Sequence, residues 1–77
     1  MAIQMADVTI HIDETLDNGR LERLRDEILG QTGVMAADYR KEKRHLMTVE
    51  FDPARNNSEN LLKVVKAQGL HAELIGL

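Results

Sequence analysis

The chain has no cysteine. That excludes disulfides, thiolate metal sites, iron–sulfur clusters and thiol nucleophiles, and it fits a reducing compartment. Tryptophan is absent too, and there is one Phe and one Tyr. Nucleic-acid binding by stacking wants aromatic platforms on a basic surface, whereas this chain carries a net charge of −3. No nucleic-acid partner is expected. No apolar run approaches the roughly 18 residues that a membrane span needs. The N-terminus, Met1-Ala2-Ile3-Gln4-Met5-Ala6-Asp7, has no basic segment and no long apolar core, so it does not read as a secretory signal. A cytoplasmic protein without membrane insertion is the expectation. No P-loop, G-x-G-x-x-G or Ser/His/Asp order is present, and catalysis is not expected.

What remains is a regular alternation of patterns. Seventy-seven residues make one domain, 1–77, since a second would lack residues for its own core. Val8, Ile10 and Ile12 alternate with Thr9, His11 and Asp13, the period of a half-buried strand. Thr15 to Gly19 breaks that pattern, with Asp17 or Asn18 as helix N-cap. Leu21, Leu24 and Ile28 then follow a helical period, and Gly30 and Gly33 end it. A second strand is predicted over Val34 to Arg40, with Val34, Ala37 and Tyr39 buried. Their uneven spacing suggests a bulge. The charged Lys41-Glu42-Lys43-Arg44 makes a hairpin turn into a third strand that buries Met47, Val49 and Phe51. Pro53, the one proline, stops it. Asn57 or Ser58 caps a second helix with Leu61, Leu62, Val65 and Val64 towards the core and Gly69 at its C′ position. Ala72 and Leu74 mark a final strand.

The order βαββαβ implies an α+β, ferredoxin-like sandwich. Right-handed crossovers give an antiparallel sheet of order 4-1-3-2 with both helices on one face and the other face open.

Three segments carry a more specific resemblance: Gly33-Val34, Val49-Glu50-Phe51-Asp52-Pro53, and Leu61-Leu62-Lys63-Val64-Val65-Lys66-Ala67-Gln68-Gly69-Leu70. In this spacing the chain resembles the heavy-metal-associated domain of copper chaperones, mercury-binding proteins and metal-pumping ATPases, over about residues 7–76. The resemblance implies the fold and a metal-related setting. It does not carry over the metal site. That family grips a soft ion with the two cysteines of a Met-x-Cys-x-x-Cys loop, whose counterparts fall near Asp17 and Arg20. Here the loop reads Glu14-Thr15-Leu16-Asp17-Asn18-Gly19-Arg20, which offers carboxylate, amide and a permanent cation instead.

Histidine is the remaining strong transition-metal ligand, present as His11, His45 and His71. The first and last strands are antiparallel neighbours. His11 and Asp13 should share the open face with His71 and Glu73, at cross-strand Cβ distances of about 5 Å. Two imidazoles and two carboxylates suit Zn(II), Ni(II) or Cu(II) rather than Cu(I). His45, assigned to the opposite end of the sheet, should stand apart. The leading functional expectation is a non-enzymatic adaptor or accessory module that binds a protein partner. The alternative is metal binding, transport or sensing through His11, Asp13, His71 and Glu73. Residues Arg40 to Arg44 form a basic spot able to steer docking to an acidic partner. Leu74-Ile75-Gly76-Leu77, uncharged but for the terminal carboxylate, suggests a homodimer through the sheet edge or open face.

Overall fold

Strict alternation builds the central strand. In a computed structural model, which describes residues 4–75, β1 (Ala6–Ile12) buries Val8, Ile10 and Ile12 on one side of the sheet. Helix α1 (Asn18–Leu29) starts where Asp17 caps it, its carboxylate accepting the Arg20 N–H at 2.8 Å. Leu21, Leu24 and Ile28 recur at the helical period and are buried together. The helix ends at Gly30 in ordinary right-handed geometry, and the left-handed turn falls at Gly33, with φ of +80°.

Gly33 feeds β2 (Val34–Arg40), which pairs with β3 (Lys43–Phe51). The pairing steps irregularly between Val34 and Ala36, the bulge that the spacing of Val34, Ala37 and Tyr39 implied. A second irregularity follows Tyr39. There Tyr39 pairs with Met47 while Arg40 pairs with Lys43, so Arg44, His45 and Leu46 have no counterparts on β2. Helix α2 (Ser58–Lys66) is capped by the Asn57 side chain, which accepts from Asn60 N–H at 2.8 Å. Its C-cap is Ala67, and the positive-φ residue Gly69 (+81°) comes two residues later. Strand β4 (Ala72–Ile75) completes the sheet.

The sheet order is β2-β3-β1-β4, antiparallel throughout, which is the expected 4-1-3-2 arrangement. Ile10, Met47, Val49, Leu61, Val65, Leu21 and Ile28 are fully excluded from solvent and form a single core with Leu16 and Leu70 from the loops. Asn56 is the buried polar residue among those described. Its amide donates to Thr32 O at 2.7 Å, while its oxygen accepts from Asn57 N–H and from the Asn60 amide. Asn56 thereby ties the entry of β2 to the entry of α2, with every contact satisfied.

Candidate metal centre

Antiparallel pairing decides which loops meet. Because β3 and β4 both run against β1, the start of β3, the end of β1 and the start of β4 lie at one end of the sheet. Register sets His11 opposite Glu73 on one side and opposite Leu46 on the other. Directly opposed residues share a face, so the imidazole and the carboxylate stand together on the face away from the helices.

Asp13 follows the last residue of β1, held by its N–H donating to His71 O at 2.8 Å. One donor atom each from His11, Asp13 and Glu73 lies within 4.8 Å of the other two. The His11 Nδ1 is 3.3 Å from Asp13 Oδ1. It is shielded from solvent and has no hydrogen-bond partner. Such a nitrogen costs free energy unless another atom satisfies it. The same 3.3 Å is the spacing that two ligands about 2.0–2.1 Å from one ion subtend at a tetrahedral angle. His11 and Asp13 therefore already stand as ligands would. Glu73 is exposed and free to swing inward through its rotamers.

His71 does not join them. Its ring Nδ1 lies 2.7 Å from Glu14 Oε2, and its backbone N–H donates to the same carboxylate at 2.9 Å. The chain leaves the strand path after Ile12, which brings Glu14 rather than Asp13 over the His71 ring. The hydrogen bond and charge of Glu14 raise the His71 pKa above its ordinary value. The side-chain and backbone hydrogen bonds from His71 hold Glu14 below the usual carboxylate value. Both groups are solvent-facing, so the pair is a modest latch between the first loop and β4.

His45 lies beside the cluster rather than at the far end of the sheet. Its ring stacks on that of His11, centroids 5.9 Å apart and planes inclined by 18°. The expectation of a remote His45 fails because the hairpin entering β3 adjoins the end of β1 in an antiparallel pair. Sequence reasoning also missed Glu14 and Arg44. The Arg44 guanidinium leaves the basic turn and donates to Asn18 Oδ1 at 2.7 Å and, more weakly, to Leu16 O at 3.4 Å. It braces the first loop from β3.

That loop does not suit a soft ion. Asp17, near which the resemblance would set a cysteine, is committed to capping α1, and Arg20 offers a guanidinium in place of a thiol. Without thiolate, neither position favours Cu(I).

No protein-family model matches the chain, and no curated protein matches it either. Solved structures do. Oxidized MerP from Ralstonia metallidurans superposes with a TM-score of 0.83 at 20% identity, covering 95% of this chain and 100% of that one. The Cu(I)-loaded N-terminal domain of a potential copper-translocating P-type ATPase from Bacillus subtilis gives 0.84 at 19% identity, covering 95% and 90%. A CopZ metallochaperone gives 0.76 at 13%, covering 91% and 100%. The fold is that of heavy-metal-associated domains, as the resemblance implied. The neighbours are metallochaperones and metal-binding domains.

Proposed function

We propose that this chain is a non-enzymatic, cytoplasmic accessory domain that binds a divalent cation through His11, Asp13 and Glu73 on the open sheet face. The observation that carries the reading is the shielded, unpartnered His11 Nδ1 facing Asp13 Oδ1 at 3.3 Å, with Glu73 within reach. One imidazole and two carboxylates form a borderline-to-hard donor set that favours Zn(II), Ni(II) or Cu(II). The thiol site of comparable domains is replaced here by a helix cap, and the cation site lies on the neighbouring strand face. The fold shared with metallochaperones supports a metal-related setting.

Titration calorimetry with each divalent ion tests the reading, alongside competition with a tight Cu(I) chelator. Zn(II), Ni(II) or Cu(II) is expected to bind and His11→Ala to abolish binding, while Cu(I) stays with the chelator. Failure of all three ions to bind at millimolar concentration refutes the cation site. Cu(I) captured from the chelator refutes the absence of a soft-ion site.

A second reading, the docking module, is favoured by Met35. It is 63% exposed on β2, which is an edge strand among the described residues. A metal-handling protein partner pairing with that edge would cover it. Self-association through β4 belongs to the same reading. Ile75 is half-buried opposite Thr9, and the Gly76-Leu77 part of the suggested contact lies outside the described residues.

A further inference from the structure

We infer that His45 is the fourth donor of the cation site, so that the ion is held by two imidazoles and two carboxylates drawn from three strands and the start of the first loop. The inference rests on the reading above that His11, Asp13 and Glu73 bind a divalent cation.

A backbone hydrogen bond fixes the tautomer of His45. His45 Nδ1 lies 2.7 Å from the carbonyl oxygen of Ile12. A carbonyl can only accept, so Nδ1 carries the proton and, in the neutral ring, the lone pair sits on Nε2. An imidazole oriented by an Nδ1–H···O=C bond, with Nε2 free, is the usual state of a metal-binding histidine. The carbonyl that orients His45 belongs to the residue between His11 and Asp13 in sequence. The ring is thus anchored to the same short segment that supplies two of the other ligands.

With a metal–nitrogen bond of about 2.0–2.1 Å, the ring centre lies roughly 3.2 Å from the ion, because the ring nitrogen is on the line between them. Two imidazoles on one ion then have centres about 5.2 Å apart at a tetrahedral angle and about 5.9 Å at roughly 135°. The His11 and His45 centroids are 5.9 Å apart. The two rings are stacked with planes 18° apart, so sharing an ion requires one of them to turn about its Cβ–Cγ bond until both in-plane lone pairs meet it.

Strict alternation from Met47 would send His45 to the helix side of the sheet. The irregularity that leaves Arg44, His45 and Leu46 without β2 counterparts undoes that alternation. It sends Arg44 to Leu16 and Asn18 and frees His45 to lie along His11. Bulges re-aim side chains in this way next to functional sites. A second imidazole also sharpens selectivity, moving the donor set from one that magnesium or manganese would tolerate towards Zn(II), Ni(II) and Cu(II).

The test uses the full chain and Zn(II) alone, with two independent arms. In the first, ¹⁵N spectra of the histidine rings are followed during titration. Zn(II) should shift the unprotonated nitrogens of His11 and His45 together, leave the His45 Nδ1 proton in place, and spare His71. This arm needs no variant. In the second, calorimetry compares wild type, His45→Gln and His11→Ala, with circular dichroism confirming that each is folded. Losing a ligand should weaken binding at least as much as losing an outer-shell partner, about 10- to 100-fold for His45→Gln. Wild-type affinity in His45→Gln, with a silent His45 Nε2 and binding abolished by His11→Ala, overturns the inference and leaves the three-donor site standing. Absence of Zn(II) binding by the wild type overturns that site, and the inference with it.

Discussion

Replacing Gly33 and Gly69 by alanine separates two causes that usually act together. The two glycines have nearly the same backbone, φ of +80° and +81°. An alanine in the left-handed region costs about 1–2 kcal/mol. It recovers about 0.4–1 kcal/mol by restricting the unfolded chain. At Gly69 nothing lies within 4 Å of an added Cβ, so the balance should be about 1 kcal/mol or less. At Gly33 the added Cβ would sit 2.7 Å from the Cβ of Arg55. That atom cannot swing away, because it moves only with the backbone of the turn after β3. Overpacking of this kind costs about 1–3 kcal/mol more. The Gly33 carbonyl also accepts the Asp52 N–H at 2.8 Å, so the turn cannot shift without straining the β2–β3 pairing. Gly33→Ala should therefore destabilise by about 1–4 kcal/mol and exceed Gly69→Ala by about 1–3 kcal/mol. For a domain this small, each kcal/mol moves Tm by about 4–8 °C. Urea unfolding at constant m-value measures both variants. Equal losses would show that backbone strain alone governs Gly33, and a larger loss at Gly69 would refute the reasoning.

Zinc at a hundred times its Kd should stabilise the protein by about 2.7 kcal/mol, read as a rise in Tm that a chelator reverses and His11→Ala removes. In metal-free protein the His71–Glu14 latch should give a two-sided pH dependence. His71 is raised, so its share of stability is complete below about pH 6.5 and is lost as pH rises through the raised value; Glu14 is lowered, so its share is complete above about pH 4.3 and is lost as pH falls through the lowered value. Glu14→Gln should flatten both edges in urea midpoints taken across pH, and unchanged edges would dismiss the latch. Self-association through β4 should appear in sedimentation at rising micromolar concentration and vanish in Ile75→Lys. A concentration-independent monomer would end that reading.

The fold was legible because burial follows period along β1 and α1. Val8, Ile10 and Ile12 on β1, and Leu21, Leu24 and Ile28 on α1, are all buried as their spacing requires. The caps were legible because Asp17 and Asn57 are short acceptors placed just before such periods. The site was legible only in part. His11 and Glu73 come from regular strands, where register can be reasoned, and they do face each other. His71 and Asp13 come from connections, where one backbone bend decides the neighbour, and Glu14 took the place expected for Asp13. His45 was misplaced through topology that was available. An antiparallel β1–β3 pair puts the hairpin beside the first loop whatever its residues are. The displacement of His45 from strict alternation was not available, because no residue type in Arg44-His45-Leu46 marks a bulge.

The same topology accounts for where the proposed cation site lies. Three connections converge at one end of this sheet: the loop leaving β1, the hairpin entering β3 and the turn entering β4. Here the first connection is closed by its own chemistry, with Asp17 spent on the helix and Asn18 held by Arg44. The convergence remains, and it brings β1, β3 and β4 side chains together on the open face, with Asp13 added from the start of the loop. His11, Asp13, Glu73 and His45 occupy that face or its edge. An ion there would tie three strands instead of two positions of one loop. Exchange with a partner would then require strands to part or side chains to turn outward, and release should be slower than from an exposed loop. A domain with such a site is better suited to holding or sensing a divalent ion than to passing it on.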